Sequence, residues 1–191
     1  AFTSYVLANP YYIGIFHFQT MLRFDTYFWQ AFRNTLVLSI VKLILNTGAA
    51  VIISLLLNEI TNMAFKKSVQ TIIYLPHFMS WVVVAAVFKM ILSVNSSGVV
   101  NGALINMGLI DNPIDFLGSS KYWTGTFFMM NVWKDTGWGT ILFLATLSGI
   151  SPDLYEAAQI DGANRFKRLI YITLPALANT IITVFILNLA K

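Results

Sequence analysis

The sequence predicts an all-α, polytopic membrane protein, and three observations lead there. Of its 191 residues, 57% are apolar and only 10% are charged, against about 25% charged in a soluble domain. The mean hydropathy is +0.70. Three stretches are long and apolar enough to span a bilayer as helices, and a fourth is still open at Lys191, since about 20 apolar residues cross the hydrocarbon core. None shows the alternating pattern of a membrane β-strand. A soluble globular enzyme is excluded.

Residues 1–33 are aromatic (Phe2, Tyr5, Tyr11, Tyr12, Phe16, Phe18, Phe24, Tyr27, Phe28, Trp29) and broken by Asn9-Pro10 and Gly14. Aromatic rings with a polar edge collect at the headgroup layer, so this segment is expected at the outer interface. The spans follow at about 34–57, 71–92, 126–150 and 178–191, the last incomplete, within one transmembrane domain over 1–191. The first carries Lys42, Asn46 and Gly48. The second carries Pro76, expected to bend it, and Lys89, expected to snorkel. The start at Ala1 and the stop in an apolar run predict a partial chain.

The loops set the orientation. Lys66 and Lys67 lie between the first two spans, and Arg165, Lys167 and Arg168 between the last two, whereas the middle loop has only Lys121. Basic residues favour the cytoplasmic side. The 58–70 and 151–175 loops are therefore expected inside and the 93–122 loop outside, against the weaker pull of Arg23 and Arg33. In that outer loop, Val99, Val100, Ala103, Leu104 and Met107 fit a short helix closed by Gly108. The net charge of +4 belongs to this loop bias, and no nucleic acid is expected. The chain has no cysteine, and His17 and His77 have no ligand spacing around them, so no metal or catalytic residue is assigned.

The loop 151–175 reads SPDLYEAAQIDGANRFKRLIYITLP. Ser151 suits an N-cap, Pro152 the first helical position and Asp153 the positive end of the helix. The helix should break at Gly162, with a second helix after it that Pro175 ends or bends. On residue chemistry alone, the plain reading is a basic amphipathic helix lying on anionic lipid. A DNA-reading helix-turn-helix fits poorly, because spans tether both ends.

Glu156-Ala157-Ala158, three residues, Gly162, nine residues, Ile172, one residue and Leu174-Pro175 resemble the EAA loop of ABC-importer permease subunits. Chance agreement at all those positions at one site is on the order of one in 10^8 from residue frequencies. The stretches NPYYIGIFHF, RNTLVLSIVKL, LLLNEI, FKKSVQTIIYLPHFMSWVVVA, DNPIDFLG, VWKDTGWGTILFLATLSGI and LYEAAQIDGANRFKRLIYITLP are similar to the oligosaccharide and polysaccharide branch of the type I (maltose-type) importer permeases. The resemblance implies the type I permease core, lacking a first span and the C-terminal end. It implies a bacterial inner-membrane location and no enzyme activity in this chain. Glu156, Ala157, Ala158, Gly162, Ile172, Leu174 and Pro175 would couple the spans to a cytoplasmic ATPase dimer, which would bind ATP and Mg itself. This chain has no phosphate-binding glycine-rich loop with its lysine. The other implied partners are a second permease subunit, usually a different chain, and an extracellular or periplasmic sugar-binding protein.

Polar residues inside a membrane default to functional candidates. Asn131, Lys134, Asp135 and Trp138 fall at i, i+3, i+4 and i+7, on one helical face. An amide, an ion pair and an indole suit a sugar, whose hydroxyls want directional partners and whose ring face packs on an aromatic. The resemblance adds Asn188 on the next span. Against this, Lys134 and Asp135 would also serve by neutralising each other, and Trp138 by packing. Lys42 is open between lining the path, snorkelling and pairing with a partner subunit. His77 makes a poor proton relay, with no titratable group a turn away. The alternative function is an ion-coupled secondary transporter using Lys134 and Asp135, which leaves the EAA spacing unexplained.

Overall fold

A computed structural model describes residues 3–4, 11–12, 14–95 and 98–189. The sequence readings on Phe2, Tyr5, Asn9, Pro10 and Lys191 lie outside the described residues. Two compact units divide the chain, Ala1–Val41 and Lys42–Lys191.

In the first unit, β1 (Thr3–Ser4) pairs antiparallel with β2 (Tyr11–Tyr12), the one β pairing among the described residues. Helix α1 (Phe16–Phe24) follows, and α2 (Thr26–Asn58) begins here. Asp25 separates them and caps α2: its Oδ1 accepts from the N–H groups of Tyr27 at 2.9 Å and Phe28 at 3.2 Å. Trp29 Nε1 donates to the Leu22 carbonyl at 2.8 Å, closing the corner. This cap starts α2 at Thr26, ahead of the expected position 34, so Tyr27, Phe28 and Trp29 form its first turns.

The second unit holds the rest of α2, then α3 (Met63–Tyr74), a 3-10 turn (Leu75–Phe78), α4 (Trp81–Ile91), α5 (Val99–Asn106) and α6 (Ser120–Ser148). Helix α7 (Pro152–Ile160), α8 (Arg165–Arg168), a π turn (Leu169–Thr173) and α9 (Leu174–Leu189) complete it. The helix expected over 71–92 is two helices bent by 107°. Pro76 sits inside the 3-10 turn; the sharp change comes later, where Met79 and Ser80 are both extended. Ser80 then caps α4 by accepting from the Val83 N–H.

Helix α6 is the centre of the second unit. Ala50 and Leu57 from α2, Phe143, Leu144 and Leu147 from α6, and Leu177 and Val184 from α9 form one buried cluster. In lipid, apolar contact alone does not drive helices together, so small residues that permit close backbone approach matter more. Gly137 and Gly139 supply them. A Cβ on Gly137 would stand 2.5 Å from the Ile73 carbonyl oxygen, and one on Gly139 would stand 2.8 Å from Ala50 Cβ. The hydroxyls of Thr146 and Thr180 meet at 2.8 Å between α6 and α9. Buried Thr140 donates to the Thr136 carbonyl at 2.9 Å, so its hydroxyl is satisfied within its own helix.

By length and apolarity, α2 and the continuous 165–189 helix suffice to cross a membrane, and the bent 63–91 pair forms a broken span or a re-entrant loop. Helix α6 has 29 residues, about 43 Å at the usual rise, but is more polar. A helix wrapped by others can be polar without exposing those groups to lipid. Beyond α4, Val84, Phe88 and Leu92 form a second cluster with Val100, Phe116 and Met130. Fully buried Asn101 fixes the loop around it. Its Nδ2 donates to the carbonyls of Ser93 at 2.8 Å and Ile114 at 3.0 Å, and its Oδ1 accepts from the Ile114 N–H at 2.9 Å. Gly108, at φ +68°, closes α5 as the sequence suggests.

Candidate functional site

Two regions carry the chemistry. The first is the hairpin of α7 and α8. Ser151 Oγ accepts from the Asp153 N–H at 3.3 Å, and Asn164 Oδ1 from the Lys167 N–H at 2.8 Å, so each helix has a side-chain N-cap. Between them Gly162 adopts φ +75°. Its N–H donates to the Gln159 carbonyl at 3.1 Å, and the Ala163 N–H reaches back to the Ala158 carbonyl at 2.8 Å. These two bonds are the Schellman closure, which needs a left-handed residue. Ala158 and Gly162 therefore make the turn itself, while Glu156 and Ala157 are exposed. Leu154, Ile160 and Phe166 are exposed as well, Ile160 by 87%.

The second arm runs into the membrane helix without a stop. Of the two outcomes expected for Pro175, an end or a bend, the helix does not end there, and 165–189 runs on. A proline in an α-helix clashes with the carbonyl four residues back; here the preceding turn is widened to π geometry, and the Leu174 N–H donates to the Leu169 carbonyl, five back. Such an extra residue relaxes the ladder ahead of the proline. Ile172 and Leu174 are half-buried along this stretch and Pro175 is exposed. Tyr155, which the sequence did not single out, ties the hairpin together: its hydroxyl meets Thr173 Oγ1 at 3.0 Å. Thr173 is itself buried.

The second region is a cavity of about 300 Å³ between α2, the 3-10 turn, α4, α6 and α9, at the small end of ligand-sized pockets. Asn131, Asp135, Trp138 and Asn188 all line it. Lys134 does not. It is buried behind the wall, where its ammonium donates to the His77 carbonyl at 3.0 Å, lies 3.9 Å from Asp135 Oδ1 and sits over the Trp81 ring. The predicted face thus divides, with Asn131 also turned inward to donate to the Phe127 carbonyl at 2.7 Å. Lys42, Asn46, Thr47, His77 and Trp81 join the lining from elsewhere in the chain. The titratable neighbour that His77 lacks in sequence comes from α6: Nδ1 stands 3.7 Å from Asp135 Oδ1. Its ring stacks on Trp138, with centroids 5.4 Å apart and planes 18° from parallel. Such a cavity can hold a polyhydroxylated ligand, offering amide, carboxylate and ammonium groups beside a flat aromatic pair.

The second unit thus joins a capped hairpin to a helix long and apolar enough to cross a membrane and holds a polar cavity among its helices. Residues 46–191 match the family of binding-protein-dependent transport system inner membrane components. The chain belongs to this family and is a membrane protein with the fold of an ABC-importer permease. It is 42% identical over 164 residues to Protein LplB of Bacillus subtilis, covering 86% of this chain and 51% of that one. It is 36% identical over 178 residues to the polygalacturonan/rhamnogalacturonan transport system permease protein YteP of Bacillus subtilis, covering 93% and 54%. It is also similar to a chain of a bacterial ABC transporter involved in import of the acidic polysaccharide alginate, with a TM-score of 0.86 and 38% identity over 93% of this chain and 61% of that one. A second structure of such an alginate transporter includes a periplasmic protein bound to an alginate pentasaccharide. The chain spans about half the length of the curated relatives it matches.

Proposed function

We propose that this chain is the core of a permease subunit in an ATP-driven importer, forming half of a transmembrane path for an oligosaccharide. The observation that carries the reading is the hairpin. Its outer arm presents small Ala157 with exposed Leu154 and Ile160, and the carboxylate of Glu156 beside them, a surface suited to a partner's cleft. Its inner arm continues into α9, and the Tyr155–Thr173 bond joins the two arms. A displacement of α7 would therefore be delivered to a membrane helix as rigid-body movement.

In this reading a dimeric cytoplasmic ATPase binds ATP and Mg and pushes on Glu156, Ala157, Ala158 and the Gly162 turn, with Ile172, Leu174 and Pro175 transmitting the movement. The loop is cytoplasmic, in keeping with Arg165, Lys167 and Arg168 on it. A second permease completes the path, lipid surrounds both, and an external sugar-binding protein delivers cargo to the cavity lined by Asn131, Asp135, Trp138 and Asn188. The sugar-transport names of the relatives support a carbohydrate cargo. The ion-coupled alternative is not favoured, since family membership points to ATP-driven import. The test is purification of the full-length subunit from its native membrane in mild detergent, with mass spectrometry of what stays bound. Recovery of an ATPase and a second permease is expected; a subunit that repeatedly comes out alone and folded would refute the reading.

A further inference from the structure

The cavity contains more unanswered polarity than a dry helix junction tolerates. Asn46 Oδ1 and Thr47 Oγ1 are buried without a hydrogen-bond partner, and both residues line the cavity. Leaving such atoms unpaired costs roughly 1–3 kcal/mol each, so the cavity is shaped for an occupant that answers them.

The charges say which kind. Asp135 has cations at hand: Lys134 at 3.9 Å, and His77 at 3.7 Å when protonated. Lys42 lines the cavity from α2, and among the described residues its ammonium has neither a hydrogen bond nor an ion pair. Lys42 and Lys134 against Asp135 leave one positive charge uncompensated. A neutral sugar would desolvate that ammonium and offer it only hydroxyls, whereas burying a charge is tolerable when it is paired.

We propose that the cavity takes an acidic glycan, with a sugar carboxylate on the Lys42 ammonium. Sugar hydroxyls donate to Asn46 Oδ1 and Thr47 Oγ1, and a ring face packs on Trp138, which is 42% exposed and braced from behind by His77. This rests on the importer reading above and adds the charge of the cargo.

The test uses the assembled transporter of full-length subunits, with the external binding protein left off so that its own selectivity does not enter. Trigalacturonate and its carboxyl-reduced, neutral counterpart are the probes, and binding is followed by calorimetry. The acid is expected to bind about tenfold more tightly, the value of one charge-assisted hydrogen bond. Lys42→Gln should abolish that preference, weakening the acid and, with no ammonium left to desolvate, holding or tightening the neutral sugar, whereas Lys42→Arg should keep it. Equal affinities in the unsubstituted protein overturn the proposal while the importer reading stands. Equal weakening of both sugars by Lys42→Gln also overturns it, because the lysine then holds a helix or a partner subunit. Binding of neither overturns it as well, and the co-purification experiment tells whether the importer reading falls too.

Discussion

Gly162 offers a sharp separation between backbone geometry and side-chain bulk. It sits at φ +75°, and a Cβ built there meets no heavy atom within 4 Å. A Cβ at this position therefore costs nothing in steric overlap within this chain. The cost is conformational, about 1–2 kcal/mol for a non-glycine residue held in the left-handed region, a factor of about 5–30 in the population of the turn. Gly162→Ala should lower sugar transported per ATP hydrolysed severalfold in proteoliposomes of the assembled transporter, with membrane insertion unchanged. Gly162→Asn should stay near the unsubstituted ratio although asparagine is larger, because its side chain tolerates this geometry. Gly162→Val should be worst. If alanine coupled normally and asparagine did not, volume at a partner's surface would govern the position and the backbone argument would be refuted.

Three further outcomes follow from the same coordinates. Gly137→Ala should destabilise the bundle by about 1–3 kcal/mol, since its Cβ would stand 2.5 Å from the Ile73 carbonyl oxygen; a lowered thermal midpoint in detergent checks it. Asn101→Ala removes the three hydrogen bonds of the 93–114 staple and should make the loop markedly more sensitive to protease in the detergent-purified protein, with little change in the thermal midpoint of the helices. Tyr155→Phe deletes the hydroxyl bonded to Thr173, worth about 1 kcal/mol; ATP hydrolysis should persist while transport per ATP falls, and an unchanged ratio would assign the bond no part in coupling.

The hairpin was legible because its determinants are local. Ser151, Pro152 and Gly162 each act on residues within five positions, while Asn164 caps α8 just as locally but was not singled out in the sequence. Half of the cavity was legible for the same reason, as Asn131, Asp135 and Trp138 recur with helical period. The other half was not. Lys42 was open among three roles, Asn46, His77 and Trp81 reach the cavity from other elements, and only tertiary packing sets His77 on Trp138. The sharp bend had a weak local sign in Ser80 ahead of an apolar run, but Pro76 drew the reading to the wrong residue. Helix α6 shows the converse: its polar face reads as a site, yet Lys134 is spent behind the wall on the His77 carbonyl. Neither role has a distinct sequence pattern.

The π turn before Pro175 also fixes an azimuth. Each residue of an α-helix turns the chain by about 100°, so one residue accommodated over Leu169–Thr173 rotates everything after it by about that angle relative to α8. Leu177 and Val184 face the core, and Asn188 the cavity, at this setting. Shortening the segment by one residue would leave every composition-based reading of α9 intact while swinging Asn188 out of the cavity wall. A bend in register, more than any single side chain, keeps the α7–α8 hairpin and the cavity wall in phase.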